Sequence, residues 1–151
     1  MQNNALLVVE FAVMEACAVF AYTQGNRGEQ LGAVWFGANA AISATALILD
    51  WQSPLAQLIE DGVFAIGLLP LAMIFVSYWI GLVTFIAAAL FSLEAIYLLN
   101  DMSIDRTYAW INNCLWLSVP LVFLSAGGVN FVQNRREARR TRQAPGAAVL
   151  G

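Results

Sequence analysis

Long apolar runs separated by short polar clusters make up most of this chain, and each run can be measured against the roughly 20 apolar residues that cross a bilayer. The first covers about 5–22 and closes at Thr23-Gln24-Gly25-Asn26-Arg27-Gly28-Glu29-Gln30. The second covers about 31–49 and ends at Asp50-Trp51-Gln52-Ser53-Pro54. Residues 55–61 read as an amphipathic, interfacial turn of helix finishing in the acidic pair Glu60-Asp61. From Gly62 to Leu99 only Glu94 interrupts the apolar pattern. As one helix that stretch would reach about 57 Å, nearly twice the hydrocarbon thickness, so it must divide. Ser77-Tyr78-Trp79-Ile80-Gly81 is the best dividing point, because two interfacial aromatics precede a glycine able to end a helix. Two spans follow, 62–78 and 82–99, joined as a tight hairpin. The last span, about 108–132, contains Pro120 and Gly127-Gly128, and Pro70 and Pro120 are expected to kink their helices without ending them.

The pattern therefore predicts an all-α, polytopic transmembrane bundle of five spans, with four as the alternative if 62–99 counted as one. Residues 1–133 form a single membrane domain, and 134–151 form a basic cytoplasmic tail whose end, from Gln143 on, reads as disordered. Arginine placement favours five. Arg135, Arg136, Arg139, Arg140 and Arg142 hold the tail in the cytoplasm, and an odd number of spans then puts the N-terminus outside and Arg27 inside. Only Arg106 is left outside; four spans would strand Arg27 there too. Val19-Phe20-Ala21 resembles a cleavage site, yet the first run lacks a basic leader and is interrupted by two glutamates, so it reads as a retained helix in a multi-pass protein of the cell membrane.

Composition agrees: 60% of the 151 residues are hydrophobic and 11% are charged, less than half the charge of an average soluble domain. Histidine and lysine are absent, which removes histidine-ligated haem, histidine zinc sites and histidine proton relays. Cys17 and Cys114 lie within apolar runs and read as small hydrophobes. The chain carries no phosphate-binding glycine loop, no nucleophile with a histidine base and no metal-ligand spacing, so neither an enzyme, a cofactor nor a metal site is expected. The tail arginines fit anionic lipid headgroups, each worth about 1 kcal/mol near the surface, and nucleic acid is not expected as a partner. The tryptophans at 35, 51, 79, 110 and 116 read as interfacial anchors.

Against this background Glu10, Glu15 and Glu94 stand out, because a carboxylate in hydrocarbon is costly and is kept for a use or a partner. The strong hydrophobes of the first span contribute about −3 to −4 kcal/mol to insertion, whereas its two acids, if charged, cost about +5 to +7 kcal/mol. Those acids must be protonated or face polar partners. The expected topology gathers Glu10, Glu15 and Glu94 with Asn112 and Asn113 into one layer in the outer half of the membrane, within about 15 Å of the helix ends. Glu10 and Glu15 lie about 140° apart and flank a face of Leu7, Phe11, Met14, Ala18 and Ala21, while Val9, Val13, Ala16 and Phe20 suit lipid. Ala18 and Ala21 would admit a close neighbour, and the fourth span, with Ala87, Ala88 and Ala89, is the expected one. Asp101, Asp105 and Arg106 read as mutually paired surface charges.

Such a layer suits a small proton- or cation-linked transporter or channel component, working as a homo-oligomer or with other membrane subunits. Two alternatives remain: an accessory subunit of a larger membrane assembly in which the acids hold helices together, and a holin-like or immunity protein. Phage holins are similar in being small, multi-span and basic at the tail.

Overall fold

The computed structural model describes residues 4–49, 51 and 53–143, and the side chains of 9, 11–49, 51 and 53–140. Its five helices are α1 (Asn4–Gln24), α2 (Arg27–Ile48), α3 (Pro54–Phe75), α4 (Tyr78–Leu99) and α5 (Arg106–Gln143). Stretches of α2, α3, α4 and α5 are long and apolar enough to cross a membrane. α1 has a similar length, 21 residues, with part of its side chains outside those described. The chain is an all-α, multi-pass membrane protein.

Local chemistry sets the helix ends, and it moves several of the expected boundaries. α2 starts at Arg27 instead of Leu31 because Asn26 caps it: the Asn26 side chain accepts from the Glu29 backbone N–H at 3.1 Å, and Glu29 accepts in return from the Asn26 N–H at 3.0 Å. α3 starts eight residues before Gly62, at Pro54, with Ser53 as N-cap and proline in the first turn, where its missing N–H costs nothing. The hairpin turns at Val76-Ser77, at the start of the expected dividing point, with Val76 in the left-handed region (φ 47°) and Ser77 capping α4. Gly81 instead lies inside α4, facing open space. α4 ends in a Schellman motif: Met102 N–H bonds to the Tyr97 carbonyl and Asp101 N–H to that of Leu98, with Asp101 at φ 50°. α5 runs for 38 residues, about 57 Å, against about 33 Å for each 22-residue helix, so its arginine-bearing end projects beyond the bundle. Pro70 and Pro120 lie inside helices, as the pattern predicts.

The helices close into a ring. Each packs on its neighbour in sequence, α5 packs on α1, and α2 reaches across to α4 and α5. Two-residue connections at 25–26 and 76–77 force antiparallel neighbours. The expected contact between the first and fourth helices is overturned: among the described residues α1 does not pack on α4, because α5 lies between them. Ala18 and Ala21 are buried small residues, as their size suggests, yet they serve other partners. Ala18 faces Gly37 of α2 and Ala21 faces Gly127 of α5. A methyl at Gly127 would stand 2.8 Å from the Phe20 ring, so this glycine seats an aromatic that the sequence assigned to lipid. Val9 and Val13 do face outward, with Ile66, Met73 and Phe85.

The centre of the ring is a plug of aromatic and branched side chains. Phe36, Phe64 and Phe123 are buried, with the Phe36 ring 6.2 Å from Phe64 and 5.4 Å from Phe123, and Leu68, Ile80, Val83, Leu90 and Val119 close around them. Trp116 stacks on Phe64 at 6.4 Å. Lipid tails are as apolar as these side chains, so close packing and polar contacts, not expulsion from water, hold the plug together. Trp35, expected at an interface, is one such contact: its indole N–H donates to the Phe64 carbonyl at 3.2 Å. The indole lies against Gly67 with no room for a β-carbon. Gly67→Ala should therefore displace Trp35 and destabilise the bundle by about 1–3 kcal/mol, read as a lower thermal unfolding midpoint in detergent; an unchanged midpoint would refute this packing.

Candidate functional site

Above the plug, at the end that carries the α2–α3 and α4–α5 loops, the ring encloses a cavity of about 310 Å³. All five helices contribute. α1 supplies Phe11 and Met14, α2 Ala40 and Ser43, α3 Gln57, Glu60 and Asp61, α4 Glu94, and α5 Tyr108, Asn112, Asn113 and Trp116, with Ile104 from the last loop. The helix starts explain the polar wall. Because α3 begins at Pro54 and runs unbroken, Glu60 and Asp61 lie about two turns inside the helix instead of at the end of a separate interfacial turn. Trp116, stacked on Phe64, forms the floor.

Electrostatically the wall is one-sided. Asp61 is 4% exposed and Glu94 8%, both close enough to each other and to Glu60 to interact through charge, and no basic side chain lines the cavity. Part of this charge has hydrogen-bond partners. The Tyr108 hydroxyl donates to Glu94 Oε1 at 3.3 Å, and the Ser43 hydroxyl bonds to Glu60 Oε1. Asp61 Oδ2, Glu94 Oε2 and Asn112 Oδ1 are buried acceptors without a protein donor. Unpaired buried acceptors are rare and costly, and carboxylates among them require a proton or a cation. The arrangement can therefore bind positive charge, or pass protons between neighbouring carboxylates. Among the described residues, no group of three or more acids or cysteines converges as metal ligands would.

A smaller space of about 140 Å³, sharing Gln57, Glu94, Ile104 and Tyr108 with the cavity, leads towards the loops past Tyr97 and Asp101. Its rim is braced by Asp105. This carboxylate caps α5, accepting from the Tyr108 N–H at 2.7 Å, and it also accepts from the Tyr97 hydroxyl at 3.1 Å. The Tyr97 and Tyr108 rings lie 4.8 Å apart. Asp105 thus joins two helices, where the sequence suggested surface charge pairing. The Tyr108 N–H holds its carboxyl below the usual carboxylate range.

Of the acids and amides singled out from sequence, Glu94, Asn112 and Asn113 line the cavity. Glu15 is not among its lining residues; its carboxylate faces Gly37 on the α1–α2 contact. The side chain of Glu10 lies outside the described residues. Sequence reasoning missed Glu60, Asp61, Ser43 and Tyr108. The first two were legible through Ser53-Pro54, an N-cap followed by proline, which starts the helix early enough to carry both acids inward. A third buried acid, Glu29, falls in a segment whose polarity reads as a loop. It is 2% exposed, at the opposite end of the ring, and bonds to the Asn26 backbone and amide and to the Asn130 amide of α5. Arg135, Arg136, Arg139 and Arg140 are exposed on the projecting end of α5, the first of them 4.6 Å over the Phe131 ring, while the Arg142 side chain and residues 144–151 lie outside the described residues.

No protein-family model, curated protein or solved structure gives a significant match to this chain.

The Asp105 contacts set a pH dependence. A carboxyl held below its ordinary range contributes stability that is present above that range and lost as pH falls through the folded value. Native protein should therefore lose thermal stability on acidification below about pH 4, and Asp105→Asn, which keeps a capping oxygen but cannot titrate, should lose less over the same interval. Equal losses in melts from pH 6 to pH 3 would remove Asp105 from this role.

Proposed function

We propose that this chain is a small cation- or proton-linked transporter or channel component that takes up positive charge in the cavity between its helices. The observation that carries the reading is the pair Asp61 and Glu94: both are buried in a polar cavity, each has an oxygen without a protein donor, and no basic side chain neutralises them. A purely structural role for such acids would leave their oxygens hydrogen-bonded across helices, as Glu29 is to Asn26 and Asn130. The plug of Phe36, Phe64 and Phe123 lies beneath the cavity, so binding occurs from one side of the membrane in this conformation.

α1 serves as a fifth span in this reading, and the orientation follows from the arginines. Arg27 and the arginines of the projecting α5 end share one end of the antiparallel ring, and Arg106 lies at the other. The arginine-rich end is cytoplasmic by the positive-inside rule, its exposed guanidinium groups meeting anionic headgroups, and the cavity then opens to the outside. The outward apolar surface meets lipid, further copies of the chain or other membrane subunits. The work is binding and transfer of a cation, with no catalysis, cofactor or nucleic-acid partner.

Proton and sodium flux into proteoliposomes tests the reading. Asp61→Asn and Glu94→Gln should each reduce flux at least about tenfold, the factor that about 1.4 kcal/mol of lost site energy implies. Glu15→Gln, away from the cavity, should leave it near the native rate. Flux indifferent to both cavity substitutions would defeat the proposal.

A further inference from the structure

Resting on that reading, we infer that the cavity takes an organic ammonium ion: a monocation with N–H donors on one side and an aromatic or apolar body on the other. Its size points there first, because about 310 Å³ reaches the lower end of the roughly 300–1,000 Å³ that small-molecule pockets occupy. A bare inorganic ion needs oxygens converging on one point, and the described residues offer no such group of three acids. The wall is divided to match the ion. Asp61 and Glu94, on α3 and α4, line the cavity, each with a carboxylate oxygen that has no protein donor, and ammonium N–H groups are the donors that carboxylates accept from most strongly. Phe11 and Met14 of α1 and Trp116 of α5 supply the apolar side, with an indole of the kind that attracts cations and a polarizable thioether. Tyr108 belongs to both sides, since its hydroxyl is engaged by Glu94 and its ring remains in the lining.

Calorimetric titration of the full-length protein in detergent, with phenethylammonium as the probe, tests this inference. Binding should be saturable, should weaken on acidification as protons compete for the carboxylates, and should exceed that of 2-phenylethanol, the neutral counterpart. Asp61→Asn and Trp116→Leu should each weaken binding roughly tenfold, the scale of a desolvated charged or cation–π contact. Trp116→Phe should restore most of it, and thermal melts of each variant identify any that fail to fold. Equal binding of 2-phenylethanol, or binding unchanged in Asp61→Asn, would overturn the inference by showing an apolar cleft without charge recognition. Absence of phenethylammonium binding beside proton or sodium flux that depends on Asp61 would overturn it while leaving the transport reading intact; absence of both would end both.

Discussion

Closure of the ring on Phe36, Phe64 and Phe123 is the contact on which the rest of the structure depends. In lipid the helices gain little by hiding apolar surface from one another, so their order has to come from shape. Glycines and alanines provide it: Gly67 admits Trp35, Gly127 admits Phe20, and Ala18 and Ala21 let α1 settle between α2 and α5. With the ring closed below, the polar side chains of α3, α4 and α5 and the small ones of α2 leave the space above unfilled, and a cavity remains. The plug and the cavity are therefore two consequences of one packing arrangement.

The two buried acidic regions show how environment assigns different work to the same side-chain chemistry. Glu29 is enclosed by the capped start of α2 and the Asn130 amide, so its oxygens are answered by donors, and it ties α2 to α5. Asp61 and Glu94 sit at similar burial, each with one oxygen unanswered. A satisfied buried carboxylate fixes a structure, whereas an unsatisfied one makes its surroundings depend on whatever positive charge arrives.

Hydropathy alone was enough to read the helical class and the division of the long apolar stretch, because bilayer thickness limits each helix. Boundaries depended on capping chemistry that hydropathy averages away. Asn26 with Glu29, and Ser53 with Pro54, extend two helices into segments whose polarity resembles a loop. That is why Glu60 and Asp61 read as the end of an interfacial turn while Glu94, isolated in an apolar run, stands out as a candidate. Which helices touch was harder still, since Ala18 and Ala87 are equally suited to close contact and only the intervening position of α5 separates them. Val76 shows a similar limit: sequence favoured a glycine for the hairpin, yet the turn uses a β-branched residue in a conformation that costs about 1–2 kcal/mol.

Pro120 gives the cavity floor a mechanical character. With no N–H at this position, the carbonyl of Trp116, one turn earlier, loses its donor in the helix ladder. The residue that floors the cavity is thus carried on the missing rung of α5, where bending the helix breaks the fewest bonds. Trp116 is also the side chain stacked on Phe64, so a bend there shears the contact between floor and plug. The missing rung of α5 therefore lies where the polar chamber meets its seal, and any bend there would swing the arginine-bearing end relative to the floor.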